Sequence, residues 1–156
     1  MILVNQSSPS VSIRTMEPRD ASAVAILVEE LGYQRDTQEV ARWIEQMLNR
    51  STTQIAFVAC LEEQLIGWVE VSIEYRLQSP PYALIGGLVV KDGYRNQKIG
   101  LLLCERAEEW TWERGLRTLR VTSRSTRIDA HRFYLKNGYR LAKTSQIFEK
   151  DRPAAS

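Results

Sequence analysis

The chain has 156 residues, of which 44% are hydrophobic and 26% charged, and its formal net charge is +2. That length suits one domain with its own core, and interspersed charges of so small a sum do not by themselves predict nucleic-acid binding. One histidine and two separated cysteines make no metal-ligand set, and no run reaches the ~20 apolar residues of a membrane helix.

In chain order, Met1-Ile2-Leu3-Val4 carries no basic region and is ended at once by polar residues. No export signal is read there, and the expected compartment is the cytoplasm. Val11-Ser12-Ile13-Arg14 alternates as a first strand. Pro18-Arg19-Asp20 opens a helix whose apolar positions Val24, Leu27, Val28 and Leu31 recur at helical spacing, with Gly32 as its stop. A second helix fits 36–48, with Thr37 able to cap it and Val40, Trp43, Ile44, Met47 and Leu48 as its stripe.

A hairpin follows, with strands at 54–61 and 65–75 and a turn at Glu62-Glu63-Gln64. In its second strand Val69, Val71, Ile73 and Tyr75 face one way, and Trp68, Glu70, Ser72 and Glu74 the other. Ser79-Pro80-Pro81 is expected to break the chain. Residues 83–90 are almost continuously apolar, as in a strand covered on both faces. A polar loop at 91–98 leads to a helix at 99–114, ended by Gly115. A strand at 116–122, a helix at 129–137 stopped by Gly138, and a last strand or strands at 139–149 complete the order. Cys60 and Cys104 lie in apolar runs and read as reduced, buried thiols. The expected architecture is a single α/β domain over 1–156, with an ordered core at about 11–150 and right-handed crossovers in its second half.

The informative segment runs from Leu88-Val89-Val90 through Lys91-Asp92-Gly93-Tyr94 to Arg95-Asn96-Gln97-Lys98-Ile99-Gly100-Leu101. A buried strand enters a short polar loop and then a helix. The first helical N–H groups have no partners of their own and sit at the positive end of the helix dipole. With Arg95 and Lys98 beside them, they suit an anion such as a pyrophosphate, and Gly100 allows close approach. A plain strand-to-helix connection has the same outline.

These residues resemble motif A of the GNAT superfamily of N-acetyltransferases, whose loop reads Arg/Gln-x-x-Gly-x-Gly/Ala. Arg95, Ile99, Gly100 and the strand end Leu88-Val89-Val90 fit. Lys98 stands where the family usually has glycine. A second run, Arg127-Ile128-Asp129-Ala130-His131-Arg132-Phe133-Tyr134-Leu135-Lys136-Asn137-Gly138-Tyr139, resembles motif B. The resemblance implies a mixed, mostly antiparallel sheet flanked by helices, with a splayed central strand pair at 83–90 and 116–122. Acetyl-CoA is the implied co-substrate, with no metal. Its pantetheine arm would pair with the free strand edge at Leu88 and Val90, and the loop from Arg95 to Gly100 would hold the pyrophosphate. The cofactor-binding set is therefore Leu88, Val89, Val90, Arg95, Asn96, Gln97, Lys98, Ile99, Gly100, Leu101 and Arg127. The implied partners are acetyl-CoA and a small-molecule amine, with no nucleic acid and no membrane, and a homodimer is an assembly common in the family.

Acetyl transfer to an amine needs a neutral amine, a donor for the oxyanion, and a proton or strong hydrogen bond for the departing thiolate. Tyr134 resembles the motif B tyrosine that serves the sulfur, although Phe133 and Tyr134 also fit a pair of core aromatics. The Leu88 N–H is the implied oxyanion donor. Some family members carry a glutamate on the strand at 83–90, but the aligned positions here are Leu84 and Gly86. Glu70 is taken as the catalytic carboxylate, with Glu74, Glu29 and Glu30 as alternatives and a solvated surface acid as the plain reading of each. His131 reads as structural or cofactor-adjacent. The arginines at 114, 117, 120, 124, 127 and 132 lack interleaved aromatics and read as a solvated face, with one of them available to the 3′-phosphate. The run Gly67-Trp68-Val69-Glu70-Val71-Ser72 is somewhat similar to aminoglycoside acetyltransferases, and the missing acid at Gly86 counts against that substrate. A non-catalytic acyl-CoA-binding module would lack the proton donor, and protein N-terminal or lysine acetylation stays open.

Overall fold

The computed structural model describes residues 10–95 and 98–155. The chain divides into two compact units, one ending at Thr122 and one starting at Ser123. The first unit is built on a five-stranded sheet in sequential order, β1 (Val11–Thr15), β2 (Gln54–Leu61), β3 (Gln64–Arg76), β4 (Ser79–Val90) and β5 (Leu119–Val121). The first four strands pair antiparallel, and β5 joins β4 in parallel.

Helices cover both faces. On one side lie α1 (Ala21–Glu29), entered through a 3-10 turn at Pro18–Asp20, and α2 (Thr37–Leu48). Asp36, not Thr37, caps α2, its carboxylate accepting from the Gln38 N–H at 3.3 Å. Val24, Leu27, Val40 and Ile44 from these helices meet Ala56, Val58, Cys60, Trp68 and Val89 from the sheet. On the other side lies α3 (Ile99–Glu113), whose Ile99 and Leu103 approach Gly67. Arg106 of α3 places its guanidinium over the Phe57 ring at 4.3 Å. The strand alternation expected for β3 holds, since Trp68 and Glu70 face α1 and α2. Cys60 and Cys104 are buried free thiols, as the sequence suggested.

Two further expectations fail. Ser79-Pro80-Pro81 does not break the chain but opens β4, because the Arg76↔Ser79 and Glu74↔Tyr82 pairings leave an irregularity that absorbs the prolines. Proline is tolerated at a strand's start, where its missing N–H leaves no ladder bond unmade. The strand expected at 139–149 is not formed: the described residues after Gly138 carry no regular element, and Leu141, Ile147 and Phe148 are exposed. Strand propensity is realised only against a partner and a packed face. The second unit therefore contains α4 (Ile128–Lys136) as its one described regular element. Among the described residues no helix is long and apolar enough to cross a membrane.

Candidate functional site

The site starts from an irregularity in β4. Glu70 pairs with Gly87 and Val71 with Ile85, so Gly86 is an extra residue on β4, a β-bulge. The bulge changes which backbone groups face which neighbour. Before it, Ala83 donates its N–H to Thr118 O at 3.0 Å, toward β5. After it, Lys91 donates to Ile66 O at 2.8 Å, toward β3. Alternation then turns the N–H groups of Leu88 and Val90 away from β3. Pairing with β5 covers only Ala83, Leu84 and Ile85. From Gly86 to Val90, β4 thus presents an edge with no strand beside it among the described residues of this unit, which is the splay expected from the sequence.

Both bulge glycines make room for side chains of β3. A Cβ on Gly86 would stand 2.8 Å from Glu70 Oε1, and one on Gly87 would stand 2.8 Å from the Trp68 ring. The Glu70 carboxylate therefore lies over position 86 of the neighbouring strand. Burial pushes its carboxyl above the usual range. Among the described residues it has no hydrogen-bond or ion-pair partner. It also lines a cavity of about 260 Å³ between α1, α2 and the sheet, whose other walls include Met16, Val28, Leu31, Tyr33, Arg35, Trp43 and Met47.

The other carboxylates are occupied or outside. Glu74 accepts from Ser72 Oγ at 2.8 Å and pairs with Arg76 at 3.2 Å. Glu30 accepts from the Asp92 N–H at 3.3 Å and faces Arg95 at 3.8 Å. Glu29 is exposed.

The expected cofactor residues distribute as follows. Val89 is buried in the core, while Leu88 and Val90 are half-buried. Arg95 pairs with Asp92 at 2.8 Å and donates from Nε to Val90 O at 3.4 Å. Lys98 caps α3 in the left-handed region, with φ 61°. That conformation explains why glycine suits the position, since it spares the Cβ a steric cost. Ile99 is fully buried, and Gly100 and Leu101 form the first turn of α3. Asn96 and Gln97 lie outside the described residues.

In the second unit, Tyr134 on α4 is half-buried, with edge-on contacts to Phe133 at 5.3 Å and Tyr139 at 5.6 Å between ring centroids. Gly138, at φ 91°, ends the helix so that Tyr139 N–H reaches Tyr134 O at 3.0 Å. His131 Nε2 meets Arg124 O at 2.9 Å, so it carries the hydrogen and holds the loop before α4. Arg127 is exposed at the start of α4. Sequence reasoning missed the bulge and the cavity. The doubled glycine inside an apolar strand was the available signal for the first.

The comparisons with known proteins agree with this architecture. Residues 21–139 match the acetyltransferase (GNAT) family model. The chain belongs to the GNAT family of acetyltransferases. Within that family it is 24% identical over 132 residues to an aminoglycoside N(6′)-acetyltransferase type 1 of Stenotrophomonas maltophilia, covering 82% of this chain and 85% of that one. It is 33% identical over 78 residues to an aminoalkylphosphonate N-acetyltransferase of Salmonella typhimurium, where the match spans about half of each protein, 49% of this chain and 51% of the relative. The GNAT fold is shared with the structure of AAC(6′)-Iy in complex with the bisubstrate analog CoA-S-monomethyl-acetylneamine, at TM-score 0.80 and 17% identity over 92% of this chain and 99% of that one. It is shared equally with the aminoglycoside antibiotic 6′-N-acetyltransferase AAC(6′)-Ih from Acinetobacter baumannii, at TM-score 0.79 and 18% identity over the same shares.

Proposed function

We propose that this chain transfers the acetyl group of acetyl-CoA to the primary amine of a small molecule, by direct attack while both substrates are bound. The observation that carries this reading is the Glu70 carboxylate, which lies over the bulge at Gly86 and lines a cavity. The bulge also begins the open edge of β4. A base beside an open strand edge brings the acceptor and acyl donor sites together on one strand.

Acetyl-CoA supplies the thioester. The residues of this chain fit it in three ways: the outward N–H groups of Leu88 and Val90 suit an extended amide-bearing arm, the start of α3 with Lys98 and Arg95 suits phosphate, and the Leu88 N–H suits charge developing on a carbonyl oxygen. Val89, Ile99, Gly100 and Leu101 shape that edge and the helix start, and Arg127 is available to a further phosphate. Glu70 takes the proton of the attacking amine and passes it to solvent. The new bond joins the amine nitrogen to the acetyl carbon, the carbon–sulfur bond breaks, and Tyr134 gives its proton to the departing thiolate and recovers one from solvent. The products are the acetamide and free CoA.

Calorimetry with acetyl-CoA followed by CoA release across a panel of amines tests this reading. Binding with amine-dependent release is expected. No binding at millimolar acetyl-CoA would remove it.

A further inference from the structure

The cavity beside Glu70 differs in character from what a polyamine or an aminoglycoside requires. Its walls are almost wholly apolar: Val28, Leu31, Tyr33, Trp43 and Met47 surround it on the α1 and α2 side. Among the described residues, Glu70 is the one carboxylate lining it and Arg35 the one cation. Arg35 rests 5.4 Å over the Tyr33 ring and, among the described residues, has no acidic partner. A polycation needs several carboxylates to balance its charges, and here it would meet one, with the exposed guanidinium of Arg35 nearby.

We infer that the acceptor is a compact monoamine on an apolar alkyl or aryl body, with the amine at Glu70 and the apolar body against Leu31, Trp43 and Met47. This deepens the acetyl-transfer reading and rests on it. Burial of the apolar body supplies affinity, and the single carboxylate orients one amine. Arg35 acts as the repulsive element against additional positive charge.

The test compares 2-phenylethylamine and hexylamine with spermidine and kanamycin as acceptors, with acetyl-CoA binding measured separately by calorimetry. At least ten-fold higher kcat/KM for the two monoamines is expected. Trp43 is half-exposed, so Trp43→Ala keeps the fold; it should raise KM for 2-phenylethylamine roughly 3- to 10-fold, the weight of one lost aromatic contact, with acetyl-CoA affinity unchanged. Arg35→Glu should narrow the gap between spermidine and hexylamine. Acetyl-CoA binding with equal or better turnover of the polycations, or with no turnover of either monoamine, overturns the inference about the acceptor while leaving cofactor binding standing. Failure to bind acetyl-CoA at all overturns the parent reading instead.

Discussion

Glu70 Oε1 stands 2.8 Å from the point a Cβ would occupy on Gly86, so a residue of β3 fills the side-chain space of a residue of β4. An adjacent glycine has the same relation to a rigid ring: Gly87 gives way to Trp68. The two alanine variants should therefore part company. Gly86→Ala displaces the flexible end of Glu70, leaving stability within about 1 kcal/mol but lowering kcat by roughly 10- to 100-fold as the base moves. Gly87→Ala presses on a rigid, buried indole, and should cost roughly 1–3 kcal/mol of stability. Melting temperature and kcat measured on one preparation of each variant check the contrast. Equal loss of activity per folded molecule in both would separate Gly86 from the chemistry.

The raised Glu70 carboxyl has a pH signature. Between the ordinary glutamate range and its raised folded value, the folded state holds a proton that the unfolded chain has released. The stability that goes with the buried neutral form is complete below the ordinary value and is lost as pH rises through the raised one. Glu70→Gln should then melt higher than the parent at about pH 8, with the difference closing toward about pH 4. The same variant should lose turnover at every pH. In the parent, kcat/KM should fall as pH drops through the raised value, because a protonated carboxyl cannot take the proton of the amine. A variant equally unstable at both pH values would argue for a packing role.

Tyr134 offers a test in which packing and chemistry separate. Tyr134→Phe keeps the edge-on ring contacts with Phe133 and Tyr139 and removes the hydroxyl. A placed proton donor predicts kcat lower by roughly 10- to 1,000-fold with acetyl-CoA affinity little changed. Retained turnover with a lower melting temperature would mean that water protonates the sulfur.

Lys98 adopts φ 61°, where a side chain costs roughly 1–2 kcal/mol. Lys98→Gly relieves that cost, offset by the greater freedom of glycine in the unfolded chain, and should stabilise by up to about 1 kcal/mol. Lys98→Val, β-branched at positive φ, should destabilise by more than that gain. Denaturant midpoints of the two variants against the parent decide the sign. A stabilised valine variant would show that the cap does not carry the strain.

Asp20 sets the acid limb. Burial pushes its carboxyl up, but two 2.8 Å hydrogen bonds from Arg14 and one from the Glu17 N–H outweigh that and hold it below its ordinary value. Its contribution is present above the ordinary aspartate value and lost as pH falls through the lowered one. Asp20→Asn should cost roughly 1.5–3 kcal/mol at neutral pH and much less in strong acid. Urea midpoints across that range check it.

Local rules sufficed for much of this molecule. The apolar stripes of α1 and α2, the glycine stops, the run of β4 and the basic entry to α3 are periodic or positional signals carried by neighbours in the chain, and they placed the elements through β5, apart from the start of β4 at Ser79 and the shorter extent of β5. Motif A and motif B carried the family, because anion binding at a helix start needs particular residues at particular spacings. What lay beyond reach depends on residues far apart in sequence. The doubled glycine hinted at a bulge, but only the register of β3 against β4 places it opposite Glu70, so the carry of Glu70 into the space of a missing side chain could not be read locally. The expected strand at 139–149 failed for the same reason: alternation proposes a strand, but a partner edge decides it. The acceptor cavity is likewise a relation among α1, α2 and the sheet, and its apolar walls are contributed by stripes that looked, in sequence, like ordinary core. Tertiary packing alone left part of those stripes unfilled and put a carboxylate at the end of the space.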